Sequence, residues 1–275
     1  MELKRGPLIA KGRTAEVFEW DSGKVLKLFF DWVTEKSIRD EYEITRKCNE
    51  ANLNAPIAYE VVTTENRTGI VFERIDGLSM LNEMFFHPSL VEYYASLFAD
   101  LHLSLHKIKP DYKPSYKEML KYYINASTVV GDDIKTSALS YLDTLNEGDS
   151  LCHADFHPDN IIMSKNGPVI IDWSNARVGN KYADVARTKL MCLIGEPSDG
   201  SSMPDEFKLA REIFLRTYMT RYFEKQPEMV SEIDKWMLPV AVARSNENIP
   251  EERENLLRLI DSLFSRKGLE PFDSH

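Results

Sequence analysis

The chain has 275 residues, 43% of them hydrophobic and 28% charged, with a formal net charge of −10. That length accommodates two lobes with separate cores, and the composition is that of a soluble globular protein. The acidic balance argues against a generic nucleic-acid surface, which is basic. Cys48, Cys152 and Cys192 are scattered, odd in number and without disulfide or metal spacing, which points to a reducing compartment. The sequence shows no apolar signal core and no membrane-length apolar run, so a cytoplasmic protein without a membrane partner is expected.

Taken in order, Leu8–Ala10, Val17–Trp20 and Val25–Phe30 read as three short strands. The first turn, Lys11-Gly12-Arg13-Thr14-Ala15, fits either a plain hairpin or a loop folded over phosphates, in which Gly12 permits close approach and backbone N–H groups face the anion. Lys27 stands inside an apolar strand, where alternation allows either an exposed position or one reaching into a cleft. From Thr34 to about Ala51 the apolar spacing is helical, with Thr34 suited to cap and Glu35 to the first turn. Glu41 and Glu43 on this helix face different directions, at roughly 100° per residue. Two further strands cover 56–62 and 69–75, and the pattern turns helical at Asp76-Gly77. A lobe boundary is therefore expected there, giving lobes 1–76 and 77–275.

Helical spacing follows near 89–107, 115–130 and 133–146. His102 and His106, four apart, can share a face and bind metal, but no HExxH pattern accompanies them and helix packing is the plainer reading. Tyr93, Tyr94 and Phe98 read as core.

The most informative stretch is Leu151–Trp173, LCHADFHPDNIIMSKNGPVIIDW. Asn-Gly between two β-branched runs signals a hairpin. Such a hairpin brings Asn160 and Asp172 to one end, with Asp155 on the adjoining loop. Two oxygen ligands and a separate carboxylate suit metal-assisted phosphoryl transfer. Beyond it, Asp184 precedes a small-apolar helical stretch, which it can cap. Helices near 204–224, 227–243 and 250–266 complete the chain. Glu206, Glu212 and Glu247 there either meet an amino substrate or sit on solvated faces.

The run His153-Ala154-Asp155-Phe156-His157-Pro158-Asp159-Asn160, followed by Asp172-Trp173-Ser174, resembles the aminoglycoside phosphotransferase and choline-kinase-like family of the protein-kinase-like superfamily. The resemblance implies an α+β, bilobal protein-kinase-like fold, with a small antiparallel-sheet N-lobe carrying one long helix and a larger, mainly helical C-lobe. It implies ATP and Mg2+ as cofactors and a small-molecule hydroxyl as acceptor, of aminoglycoside, choline-like amino-alcohol or sugar type. By the same resemblance Asp155 is the catalytic base, and Asn160 and Asp172 hold magnesium. Lys27 binds the nucleotide phosphates and Glu41 pairs with it. Gly12 and Thr14 belong to the phosphate loop, Glu73–Ile75 is the crossing that meets adenine through its backbone, and Asp184 braces the catalytic loop. His153 holds the loop, while His157 either touches the γ-phosphate or caps the loop before Pro158. A protein kinase is disfavoured by His157, by Asp172-Trp173-Ser174 and by the lack of an A-P-E segment. A pseudokinase or scaffold is disfavoured because Asp155, Asn160 and Asp172 are all present.

Overall fold

The computed structural model describes residues 5–111, 114–197, 201 and 203–267. In chain order its elements are β1 (Leu8–Lys11), β2 (Ala15–Glu19), β3 (Lys24–Phe29), α1 (Glu35–Glu50), β4 (Ala58–Thr64), β5 (Arg67–Glu73), β6 (Gly77–Ser79) and α2 (Met80–Phe86). Then come α3 (Val91–His106), α4 (Tyr116–Ala126), α5 (Asp132–Thr144), β7 (Ser150–Cys152), β8 (Ile161–Ser164), β9 (Gly167–Ile170) and β10 (Arg177–Gly179). Four helices close the series: α6 (Lys181–Ile194), α7 (Asp205–Tyr222), α8 (Val230–Arg244) and α9 (Arg253–Lys267). No helix among the described residues is long and apolar enough to cross a membrane.

The chain divides into two compact units, one of Met1–Phe86 with Pro158–Ala176, the other of His87–His157 with Arg177–His275. This differs from a single cut after Asp76. The reason is strand pairing: β6 pairs antiparallel with β8, and β8 with β9, so the hairpin belongs with the first unit. At Gly77 an added Cβ would collide with the Met163 carbonyl, so only glycine fits that pairing.

The first unit is built on a five-stranded antiparallel sheet in the order β1-β2-β3-β5-β4. Glu65 and Asn66 both take left-handed φ (51° and 61°), which makes the tight two-residue loop joining β4 to β5. Thr34 caps α1 by accepting from the Ser37 N–H at 3.2 Å. Strand alternation then separates two cores. Phe29, Ile70 and Phe72 pack with Ile38 of α1, while Phe18, Leu26, Leu28 and Val71 pack on the opposite face. Lys27, between Leu26 and Leu28, therefore points to the α1 side.

In the second unit α3 packs on α7, and α8 touches α4, α5, α6 and α9. α8 matches the helix expected near 227–243. Its C-terminal half is the buried centre of the unit, with every residue from Trp236 to Ala243 buried, as befits a stretch apolar all round. β7 and β10 form a two-stranded antiparallel ribbon, with Cys152 opposite Arg177.

Candidate active site

The first unit carries a charged triad. Lys27 Nζ donates to Glu41 Oε1 at 2.7 Å and to Asp172 Oδ1 at 2.9 Å. The side chains of Lys27 and Glu41 are 13% and 2% exposed, that of Asp172 40%. Glu43, the other candidate on α1, is exposed. Burial pushes the Glu41 carboxyl up to about 7, against the opposing pull of Lys27. For Lys27 burial works the other way, but the charges of Asp172 and Glu41 outweigh it and hold the ammonium above its ordinary range.

Asp172 follows β9 in a left-handed conformation, φ 60° and ψ 64°, and its Oδ1 also accepts from Ser174 Oγ at 2.8 Å. Trp173 is 1% exposed and its indole N–H donates to the Ile170 carbonyl at 2.9 Å, fixing the turn. The β8–β9 register places Ile161 opposite Ile170, and Ile171 N–H donates to the Asn160 carbonyl at 2.9 Å. Asn160 and Asp172 thus stand at the same end of the hairpin. An amide oxygen beside a carboxylate is a hard-oxygen donor set, and it fits magnesium in kind.

The other nucleotide candidates are less developed. Gly12 and Thr14 are exposed in the β1–β2 turn, and Gly12 N–H is engaged by the Ala15 carbonyl at 2.9 Å, so that amide does not face an anion. Thr14 contributes its carbonyl to the Phe30 N–H. At the crossing, Glu73 N–H donates to Ile57 and Arg74 N–H to Gly23. Of the expected segment, Ile75 is therefore the better placed to offer an amide to a base.

The second unit holds Asp155 from one face of α6. Positions 184, 187 and 188 share that face by their i, i+3, i+4 spacing. Asp184 accepts the backbone N–H groups of His153 and Ala154 at 2.7 and 2.8 Å, Arg187 Nη2 donates to Asp155 Oδ1 at 3.0 Å, and Thr188 Oγ1 donates to the Phe156 carbonyl at 2.8 Å. Asn180 is the cap of α6, which leaves Asp184 to its bracing role. Ala154, directly before Asp155, is buried with φ 59°.

Asp184 is itself held by two residues read from sequence as helix packing. The Nε2 atoms of His102 and His106 lie 3.1 and 3.2 Å from Asp184 Oδ2, while their Nδ1 atoms lie 2.8 and 2.7 Å from the hydroxyls of Tyr218 and Tyr222. These three groups are of metal-ligand type, with ligand atoms within 4.8 Å of one another. Yet one assignment satisfies them all without an ion: each imidazole is neutral, donates from Nε2 and accepts a tyrosine O–H at Nδ1. Burial, reinforced by the neighbouring His106, pushes His102 down to about 3. Burial alone would raise Asp184, but the imidazole hydrogen bonds outweigh it and hold the carboxyl well below its usual range. The paired i, i+4 spacings His102/His106 and Tyr218/Tyr222 were the available sequence signals for this brace.

Around Asp155, His157 Nε2 stands 3.7 Å from Oδ2. Glu247 is paired with Arg187 and Arg244, at 2.7 and 2.5 Å, while Glu206 and Glu212 are exposed on α7. Burial would raise the Asp155 carboxyl. The Arg187 charge and the nearby His157 imidazole overcome it, so the carboxylate stays ionised well below the ordinary range.

Three solved structures with this fold are small-molecule kinases. A thermostable mutant of aminoglycoside phosphotransferase APH(4)-Ia, in ternary complex with AMP-PNP and hygromycin B, is 15% identical with a TM-score of 0.65 over 96% of this chain and 94% of its own. Amicoumacin kinase in complex with AMP-PNP and Ca2+ is 13% identical, TM-score 0.67, over 98% and 90%. Choline kinase from Cryptosporidium parvum Iowa II is 13% identical, TM-score 0.58, over 95% and 88%. No curated protein sequence matches the chain. The antiparallel-sheet unit and the helical unit are those of the protein-kinase-like fold, in its small-molecule kinase class. Residues 7–201 match the phosphotransferase enzyme family, and the chain belongs to it.

Proposed function

We propose that this phosphotransferase moves the γ-phosphoryl group of ATP, with magnesium, to a hydroxyl of a small molecule of aminoglycoside, choline-like amino-alcohol or sugar type. The carrying observation is twofold: the Lys27–Glu41–Asp172 triad with Asn160 at the same hairpin end in the first unit, and the separately braced carboxylate Asp155 in the second. Phosphoryl transfer asks a protein for alignment and charge neutralisation more than for covalent help. Lys27 supplies a compact positive charge for the nucleotide phosphates, and Glu41 keeps the lysine aimed. Asn160 and Asp172 would hold magnesium, which when bound neutralises phosphate oxygens. Ile75 would offer its backbone to the adenine, and Thr14 belongs to the turn proposed to cover the phosphates. Asp155 orients the acceptor hydroxyl and receives its proton as the new O–P bond forms and ADP departs.

The test is ADP release from MgATP across a panel of amino-alcohols, aminoglycosides and sugars, with wild type beside Asp155→Asn. One acceptor should stimulate release, and the variant should lose that stimulation by about 10²–10⁴-fold. ATP without the metal, or Asp172→Ala with it, should give no acceptor-dependent release. Equal stimulation in wild type and Asp155→Asn would refute the assignment of the base.

A further inference from the structure

Asp155 is the end of a run of alternating charges inside the second unit. Arg187 Nη2 donates to Asp155 Oδ1 at 3.0 Å and to Glu247 Oε1 at 2.7 Å. Arg244 Nη1 meets Glu247 Oε2 at 2.5 Å, and its Nε and Nη2 meet Glu252 at 3.0 and 2.8 Å. Both arginine side chains are 8% exposed.

Arg187 is bonded in an uncommon way for a buried guanidinium. A purely structural pair gains most from a two-bond fork on one carboxylate. Here one nitrogen is divided between two carboxylates, and the buried Nε has no hydrogen-bond partner among the described residues. The arrangement gives up bonding strength, and what it secures is the orientation of one Asp155 oxygen. The charged and titratable groups facing Asp155 are Arg187 from α6, His157 from its own loop, Arg244 from α8, Glu247 from the turn after α8 and Tyr116 from α4. Of these, Arg187 donates to Oδ1 at 3.0 Å, while His157 Nε2 stands 3.7 Å from Oδ2.

The geometry points to Arg187 as a positioning residue for the reaction: it pins Oδ1 of Asp155, so that the acceptor hydroxyl meets the carboxylate's other oxygen, and Glu247, anchored by Arg244, fixes where Arg187 stands. This rests on the reading of Asp155 as the base. It makes the base a part set from the C-terminal helices, through residues distant from the catalytic stretch in sequence. In a loose transition state the hydroxyl loses its proton late, so a carboxylate fixed in direction serves better than a strongly basic one.

The experiment follows the Asp155 carboxyl carbon by NMR in the full chain during an acid titration, with Asp155→Asn used for assignment. Wild type is compared with Arg187→Gln and Arg187→Lys. In wild type the resonance should stay at its ionised position until well below the ordinary midpoint of about 3.9. In Arg187→Gln the midpoint should rise by about one unit or more. Arg187→Lys, which keeps the charge but loses the planar group, should titrate close to wild type. With an acceptor, its kcat should fall on the order of 10- to 100-fold while KM for MgATP is unchanged. An Asp155 midpoint in folded Arg187→Gln equal to that of wild type overturns the proposal. So does wild-type kcat in Arg187→Lys, which also decides the matter if Arg187→Gln does not fold. Absence of ADP release with every acceptor would instead sink the kinase reading, while the carboxyl titration still decides whether Arg187 governs Asp155.

Discussion

Lys27 Nζ lies 2.9 Å from Asp172 Oδ1, joining residues 145 positions apart, and the same ammonium holds Glu41 at 2.7 Å. One cation thus offsets two carboxylates, one of them almost wholly buried. Replacing it by Lys27→Met should cost about 3 kcal/mol at pH 8, where Glu41 would be left as a buried unpaired charge. The loss should shrink at pH 6. Glu41's folded value, about 7, already exceeds its unfolded value of 4.5, so its favourable contribution is complete below 4.5 and is lost as pH rises through 7. Without Lys27 that value climbs further, and protonation relieves more of the penalty. Urea unfolding at the two pH values checks the ordering, and a larger loss at pH 6 would contradict it.

The buried histidines give the opposite slope. His102's folded value, about 3, lies below the unfolded value of 6.5, so the unfolded chain takes up the proton first and stability declines as pH falls from about 6.5. The decline should approach 1.4 kcal/mol per pH unit for this residue. Because Glu41 titrates in the contrary sense over part of that range, the diagnostic comparison is with His102→Gln. Melting curves from pH 7.5 to 5 should fall less steeply in the variant, and parallel slopes would remove His102 from the account.

Asp184 accepts two backbone N–H groups and two imidazole N–H groups, so an amide cannot replace it. Asp184→Asn leaves a buried –NH2 pointing at donors and should lose about 3–5 kcal/mol. Thr188→Val, which removes one neutral hydrogen bond to Phe156, should lose about 1 kcal/mol. Chemical denaturation of both variants measures the difference. Similar losses would show that the brace is not the dominant contact of α6.

Much of this arrangement could be read from residue order. The spacing Asp155–Asn160–Asp172 carried the hairpin and the two oxygen donors, because a two-residue side-chain period and an Asn-Gly turn leave little freedom. Helical geometry showed only that Glu41 and Glu43 face different ways; the choice of Glu41 came from the family resemblance, and Glu41 is the one that pairs with Lys27. The assignment of the hairpin to the first unit could not be read, since it depends on β6 finding β8 across more than eighty positions. Nor could the role of Arg187: an arginine within a helical stretch carries no mark of its partner until α6 is set against the loop. His102 and His106 were legible as a pair on one face, but their tyrosine partners lie on α7, 116 residues away. A lone glycine such as Gly12 in a turn signals only backbone freedom, and its amide here donates to the Ala15 carbonyl.

Ala154 and Asp172, two non-glycine residues at φ near 60°, sit beside and within the proposed chemistry. Each left-handed L-residue costs about 1–2 kcal/mol, and glycine would relieve it. A library of variants selected for heat resistance alone would therefore be drawn toward glycine at 154 and 172, loosening the step into Asp155 and deleting the carboxylate proposed to hold magnesium. Laboratory evolution of this enzyme toward robustness needs turnover as a simultaneous criterion, because here the easiest gains in endurance lie at the proposed site.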